Sequence, residues 1–136
     1  DVHLHGGILS MEGDANVIQI NAKTTIEDAI IAATESNSKV IIGKDCMFSN
    51  KIEIRNGDSH SILKEGKRIN QGGDVIIGNH VWVGCEAMIL KNVTIGDNSI
   101  VAAKSLVSKS VASNVIVGGV PAKVINTEIN WDRKLL

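Results

Sequence analysis

Aromatic residues are nearly absent from this sequence, which has two Trp, one Phe and no Tyr among its 136 residues. Hydrophobic residues still make up 43% of the chain, so any core must be built from Ile, Val, Leu and Ala. The length corresponds to one domain. We therefore expect a single domain whose core consists of thin, repetitive aliphatic layers.

Excess charge, paired cysteines and long apolar runs are missing as well. The net charge of -1 gives no reason to expect contact with nucleic acid or an anionic membrane. No apolar run approaches the roughly 18 residues of a membrane span, and Asp1 begins neither a signal peptide nor a transit sequence, although the missing initiator Met leaves room for upstream residues. Cys46 and Cys85 form no C-x-x-C motif, which favours free thiols in a reducing compartment. These absences predict a cytoplasmic location.

What the sequence has instead is a repeat of six residues. From Ile77 every sixth residue is aliphatic, and the residue four positions after each is small or β-branched; the aliphatic set is Ile77, Val83, Ile89, Ile95, Val101 and Val107. An α-helix would need a period near 3.6 and a half-buried strand a period of 2, so the repeat fits short flat sides joined by corners. Stacked sides of this kind form parallel strands with the aliphatic residues in interior ladders. The sequence thus predicts an all-β parallel β-helix of about seven coils.

Two interruptions shift this frame. The same signature appears earlier at Ile42, Phe48 and Ile54, and the frame shifts imply insertions at about 32–40 and 59–76. The second insertion is polar and rich in Gly, so we expect a projecting loop, the kind of segment that commonly carries function; a plain surface excursion is the alternative.

The end of the chain departs from the repeat. The period decays after Val111, and the sequence predicts a β-helix domain over 1–125 followed by a short C-terminal capping tail over 126–136. A short helix around 128–133 is expected within that tail.

Four stretches of the sequence resemble the hexapeptide-repeat acetyltransferases, in particular the bacterial polysaccharide and sugar O-acetyltransferases. They are I-G-K-D-C-M-F-S at 42–49, I-R-N-G-D-S-H-S-I at 54–62, I-G-N-H-V-W-V-G at 77–84 and G-G-V-P-A-K-V-I at 118–125. The resemblance implies a left-handed β-helix that works as a homotrimer, with active sites between subunits and acetyl-CoA lying along the helix. It also implies direct transfer of the acetyl group to a sugar hydroxyl without an acyl-enzyme. We expect no metal.

His60 is the expected catalytic base. A sugar hydroxyl has a pKa far above neutral, so its attack on a thioester needs a base that works near pH 7, and imidazole is such a base. The resemblance places the base at this position. Asp58 could orient the imidazole or simply bond its own turn, and Glu35 could contact His60 or the sugar or be a solvated turn carboxylate.

Trp82 and a set of small residues are the expected binding residues. An outward Trp on a β-helix wall could stack on the pantetheine arm or the sugar, donate its N–H near the reacting carbonyl, or pack between subunits. The resemblance places the cofactor against Gly84, Cys85, Ala102 and Ala103, with Lys109 and Lys123 near the phosphates. Lys104 departs from the family pattern, in which Gly is common.

The remaining histidines and the competing functions complete these expectations. His80 is expected to be structural at a corner, and His3 and His5 are too few for a zinc site, which argues against a β-helix carbonic anhydrase.

A non-catalytic trimerisation domain of a larger protein is a further alternative, as is an amino sugar or antibiotic as acceptor. The sequence does not identify the acceptor sugar, its hydroxyl or the acyl chain.

Overall fold

The structure, a computed structural model, describes residues 1–136 and consists of strands joined by turns, with no helix. No part of the chain therefore forms a helix that could cross a membrane. The strands in chain order are β1 (His3–Leu4), β2 (Gly7–Met11), β3 (Val17–Ile20), β4 (Thr25–Ile26), β5 (Ala29–Ala33), β6 (Lys39–Ile42), β7 (Met47–Phe48), β8 (Ile52–Arg55), β9 (Leu63–Lys64), β10 (Lys67–Arg68), β11 (Val75–Ile77), β12 (Trp82–Val83), β13 (Met88–Ile89), β14 (Thr94–Ile95), β15 (Ile100–Val101), β16 (Leu106–Val107), β17 (Ile116–Gly119) and β18 (Ala122–Asn126).

Three parallel sheets form the sides of a triangular coil. The first side is β1-β4-β7-β12-β15-β17, the second is β2-β5-β8-β13-β16 and the third is β3-β6-β11-β14. One strand from each side makes one turn, so the chain forms about five turns and the start of a sixth. The number of coils expected from the sequence, about seven, is wrong. Only the turn from Trp82 to Ile100 is built from three plain hexads, whereas the first two turns are longer and the third turn contains the loop.

The predicted interior columns are confirmed. Each side contributes one ladder of stacked aliphatic or aromatic residues, and every member is at most 9% exposed. The ladders are Ile26, Phe48, Val83, Val101 and Val117; Ile31, Ile54, Ile89 and Val107; and Ile42, Ile77, Ile95 and Val111. Burying one such side chain contributes about 1.5–3 kcal/mol, so the stacked ladders are the main source of stability.

One residue lies in a different column from the one its spacing predicts. Val111, expected four residues after a leading position, pairs instead with Ile95. The corner between Val107 and Val111 is shorter than the corner between Ile89 and Ile95, because the chain here skips part of a hexad. The change coincides with the place where the sequence period decays.

The glycines of the repeat serve close stacking between turns. A Cβ on Gly84 would lie 2.6 Å from the backbone N of Ala103 on the next turn, and one on Gly96 would lie 2.4 Å from the N of Ser113. The left-handed backbone of the corners occurs two residues later, at non-glycine positions such as His80 (φ 54) and Lys104 (φ 59). Lys104 thus occupies a conformation that glycine adopts without strain, which accounts for the Gly that the family resemblance leads us to expect there.

The predicted loop is confirmed between the second and third sides of the third turn. It contains a small antiparallel hairpin of β9 and β10, and the last residues assigned to it from sequence already belong to β11. The loop therefore projects from a corner and leaves the interior ladders uninterrupted.

The C-terminal segment covers an edge and then runs back along the coil. β18 pairs antiparallel with β17, which closes the free edge of the first side. The helix expected at 128–133 is wrong: this segment has no regular structure. Its backbone is held instead by Asn114, whose carbonyl accepts from Ile129 N at 3.0 Å, and by the ring of His80, on which Trp131 stacks.

Candidate active site

His60 lies in a polar cavity at the base of the loop. The cavity measures about 310 Å³ and is lined by Thr34, Glu35, Ser36, Ser59, His60, Ser61 and Arg68. The His60 side chain is exposed, and its ring has no hydrogen-bond partner within the chain. The imidazole is therefore available to a substrate or to a neighbouring molecule.

Glu35 joins the two insertions through an ion pair. Its carboxylate accepts two hydrogen bonds from the Arg68 guanidinium, at 2.8 and 2.7 Å. These bonds hold the pKa of Glu35 below its usual value and raise the pKa of Arg68. Glu35 lines the same cavity as His60, and within the chain its charge is neutralised by Arg68. A contact of Glu35 with His60 or with the sugar stays a prediction.

Asp58 is engaged by two residues other than His60. Its Oδ2 accepts from Lys91 Nζ at 2.5 Å and from Asn70 Nδ2 at 2.9 Å. These contacts, the one with Lys91 first, lower the pKa of the Asp58 carboxyl. Within the chain Asp58 anchors the start of the loop to the coil, and its action on the imidazole of His60 stays a prediction.

Asn70 is a loop-positioning residue that the sequence reasoning missed. Asn70 is 7% exposed, and its side chain makes four hydrogen bonds. Its Oδ1 accepts from Ile62 N at 2.8 Å and Arg68 Nε at 3.3 Å, and its Nδ2 donates to Asp58 Oδ2 at 2.9 Å and His60 O at 2.8 Å. One side chain thus fixes the backbone on which His60 sits. An Asn among loop glycines carries no sequence signal for this role.

A second, more apolar groove runs along the outside of the first side. We refer to it as the donor groove because the family resemblance predicts that acetyl-CoA, the acetyl donor, lies against its residues. It measures about 400 Å³, and its walls include five predicted residues, Trp82, Gly84, Cys85, Ala102 and Ala103. Ser49, Ile100 and Ile116 complete the lining that faces outward. The small residues keep the groove open, since a larger side chain at Ala102 or Ala103 would fill it.

The two predicted phosphate-binding lysines lie at different corners. Lys123 is exposed on β18 opposite Gly118, at the end of the first side that the donor groove approaches. Lys109 is exposed between β16 and Val111, on the corner from which the His60 loop also leaves. A single chain therefore brings only Lys123 toward its own donor groove.

Trp82 separates the donor groove from a further cavity on the same side, which also includes His3 and His5. It is 37% exposed, and its ring centroid lies 6.0 Å from that of Trp131 in the returning C-terminal segment. The structure thus places Trp82 outward on a wall, as predicted.

His80 is a structural corner residue, as predicted. Its ring stacks on Trp131 with centroids 4.0 Å apart, and its Nδ1 lies 2.8 Å from Asp45 Oδ2. Burial raises the pKa of Asp45, but hydrogen bonds from His80 and Arg133 outweigh it and leave that pKa below its usual value. His80 therefore ties the C-terminal segment to the coil.

Both cysteines are free, as predicted. Cys46 is fully buried, and burial raises the pKa of its thiol to about 11, so it is a packing residue that forms no thiolate near neutral pH. Cys85 lines the donor groove.

Comparison with known proteins identifies the repeat. The family model of the bacterial transferase hexapeptide (six repeats) matches residues 74–109. A polysialic acid O-acetyltransferase of Neisseria meningitidis is 50% identical over 93 residues, which is 67% of this chain and 42% of that protein. The crystal structure of the polysialic acid O-acetyltransferase OatWY superposes with a TM-score of 0.93 at 43% identity, covering 100% of this chain and 65% of that one. The chain belongs to the hexapeptide-repeat acetyltransferases.

Membership of this family agrees with the predicted fold class, a left-handed parallel β-helix with one projecting loop. An Escherichia coli polysialic acid O-acetyltransferase is 36% identical over 132 residues, covering 96% of this chain. The chain spans 42% of the length of both polysialic acid O-acetyltransferases matched by sequence. The likeness therefore concerns the β-helix and its loop rather than the whole of those proteins.

Proposed function

We propose that this chain is the catalytic β-helix of an O-acetyltransferase that moves an acetyl group from acetyl-CoA to a hydroxyl of a polysaccharide. The observation that carries the proposal is the presence, on one family scaffold, of an exposed His60 in a polar cavity and an apolar groove lined by small residues and Trp82. The two similar proteins named above act, by their names, on polysialic acid. A polymer of sialic acid is therefore the first acceptor to test.

The donor groove fits the arm of acetyl-CoA. A pantetheine arm is long, thin and only weakly polar, and the groove is narrow, largely apolar and bounded by small side chains. Lys123 at its end supplies a positive charge for the phosphates, as expected for that position. Acetyl-CoA would supply the acetyl group as a thioester.

His60 acts as the base for the acceptor hydroxyl. Its ring accepts the proton while the hydroxyl oxygen bonds to the acetyl carbon, and it returns the proton to the departing sulfur. Direct transfer of this kind needs no enzyme nucleophile, so Cys85 serves as a small wall residue. Trp82 stands at the reacting end of the groove, where its ring can pack against the acetyl-bearing arm or the sugar.

The proposed site needs two subunits. Within one chain the His60 loop leaves the corner between the second and third sides, whereas the donor groove lies on the first side. In a cyclic trimer whose three coil axes are parallel, the corner between the second and third sides of one subunit can face the first side of its neighbour. This arrangement brings the His60 loop of one subunit to the donor groove of the next. Lys109, on the same corner as His60, then approaches the neighbour's groove at the height of the fifth turn.

An acceptor screen tests this function. The purified protein is incubated with acetyl-CoA and either sialic acid oligomers, neutral sugars, amino sugars or chloramphenicol, and release of free thiol is followed. We expect acceptor-dependent release with the sialic acid oligomers and O-linked acetyl groups in the product by mass spectrometry. Release only with an amine acceptor would replace the proposal by N-acetyl transfer, and no release with any acceptor would favour a non-catalytic β-helix.

A further inference from the structure

A second cavity on the first side shares a wall with the donor groove. It measures about 480 Å³, and the residues that matter for its chemistry are His3, His5, Glu27, Ser49, Trp82 and Arg133. Trp82 and Ser49 also line the donor groove. The cavity spans the first three turns, and the groove lies beyond Trp82 on the later turns, so the two form one continuous track along the coil.

The cavity presents polar groups whose hydrogen-bonding capacity is not used up within the chain. The ring of His3 and the hydroxyl of Ser49 have no partner, and His5 uses only Nδ1, which lies 3.0 Å from Glu27 Oε2. The second oxygen of Glu27 and the Nε2 of His5 therefore stay available. Donors and acceptors face the same space as the indole of Trp82.

Arg133 brings the C-terminal segment into this cavity. Its guanidinium donates to Asp45 Oδ1 at 3.0 Å, to Thr25 Oγ1 at 3.0 Å and to the carbonyls of Cys46 and Lys23 at 2.9 and 3.3 Å. These contacts use four of its five N–H donors, which leaves one free. Trp131, two residues before Arg133, stacks on His80, and its ring lies 6.0 Å from that of Trp82. The C-terminal segment is therefore fixed beside Trp82.

An aromatic ring bordered by several free donors and acceptors is suited to a sugar. The apolar face of a pyranose packs on an indole, while its hydroxyls need both donors and acceptors around the rim. The cavity offers imidazole, hydroxyl and guanidinium donors together with a carboxylate acceptor. An isolated anion would not need the carboxylate of Glu27, and an apolar ligand would leave these polar groups unsatisfied.

We infer that this cavity is the acceptor subsite, which holds one sugar residue of the polysaccharide against Trp82, and that the C-terminal segment carrying Arg133 forms one of its walls. The inference rests on the proposed function. The His60 loop leaves the third turn, which is the height of Ser49 and one turn from Trp82. In the proposed trimer, a sugar in this cavity therefore lies between the neighbour's base and the donor groove.

Steady-state kinetics with two variants test the subsite. His3→Ala removes an imidazole that makes no hydrogen bond to another part of the chain. Arg133→Lys keeps the positive charge but loses the planar guanidinium with its five N–H donors. We expect each to raise KM for the sialic acid oligomer by about tenfold or more while KM for acetyl-CoA changes less than about twofold. The matched controls are Glu12→Ala on the same first turn and Lys134→Ala beside Arg133, both exposed and outside the cavity.

A binding measurement separates the subsite from the reaction. The ring signals of His3 and His5 are followed by NMR while the oligomer is added without acetyl-CoA, and we expect both to shift and saturate. If the wild type transfers acetyl groups but these signals stay still and both variants keep the acceptor KM, the subsite is overturned and the function stands. If the wild type acetylates no sugar, the proposed function fails, and the titration alone supports or overturns sugar binding in the cavity.

Discussion

The imidazole of His60 is exposed and free of partners, while its backbone carbonyl is held by Asn70 at 2.8 Å. His60→Ala should therefore remove the base without disturbing the loop. We expect kcat to fall by about 100- to 10,000-fold because a neutral hydroxyl must then attack unaided, with little change in KM for acetyl-CoA. Thiol release at saturating substrates and acetyl-CoA binding by calorimetry measure the two quantities.

Cys85→Ala provides the contrast for the mechanism. Direct transfer forms no bond to the enzyme, so this variant should still turn over and wild-type enzyme should show no acyl-enzyme by mass spectrometry. A His60→Ala variant that keeps a tenth or more of the activity, together with an inactive Cys85→Ala, would show that the thiol is the nucleophile.

Single residues were predictable where a motif carries them and not where a partner lies far away in sequence. His60 and Trp82 lie within the motifs, whereas the small groove residues were expected from the family resemblance. The structure gathers Trp82, Gly84, Cys85, Ala102 and Ala103 around one groove. The pairing of Glu35 with Arg68 joins residues 33 positions apart and depends on how two insertions meet. The hexad period says nothing about contacts between insertions.

The His60 loop is an element held by polar contacts rather than by a core. Asn70 is its central residue, so Asn70→Ala should lower kcat and free the loop, while KM for acetyl-CoA, which the donor groove sets, stays nearly constant. Asn70→Asp keeps the two accepted bonds but cannot donate to Asp58 or His60, and adds a negative charge beside Asp58. We therefore expect Asp to be no better than Ala, whereas a merely space-filling role would let Asp restore activity.

The same loop should open in acid. Hydrogen bonds from Arg68 and Lys91 lower the folded-state pKa values of Glu35 and Asp58, so their anchoring is complete above the ordinary carboxyl range, near pH 4, and is lost as the pH falls through the lowered values. Protection of the Ile62 amide in hydrogen exchange, corrected for intrinsic rates, should be constant from pH 7 to about 5 and decrease below about 4. The Met88 amide on the coil wall is the control, and a loss of Ile62 protection already between pH 7 and 6 would contradict this anchoring.

Strands were predictable as elements, and the C-terminal segment was not. Between Ile77 and Val107 the buried positions repeat every six residues, so this part of the ladders can be read from the sequence alone. The segment after Asn126 makes its contacts with Asn114, His80 and Asp45, one on each of three different turns. Its extended course is set by that row of partners rather than by local propensity, which is why a helix was expected and none forms.

At the scale of the whole molecule, the arrangement of sites predicts complementation between inactive variants. His60→Ala lacks the base, and Ala103→Trp places a large ring over the donor groove, where Ala103 is exposed. If each site takes its base from one subunit and its groove from the next, random mixing of the two variants in equal amounts restores both halves in about one site in four. We therefore expect two nearly inactive parents to give about a quarter of the wild-type activity per site after refolding together.

A double variant carrying both changes supplies the control, because it distinguishes sites between subunits from sites within one chain. Mixed in equal amounts with wild type, it should give about a quarter of full activity per site if the sites lie between subunits, but about half if each chain is complete on its own. Trimer formation is checked on the same samples by light scattering, since monomers could not complement. Single variants that stay inactive when mixed, together with half activity from the double variant, would place His60 and the donor groove of one chain in the same site and would require the loop to reach around the coil.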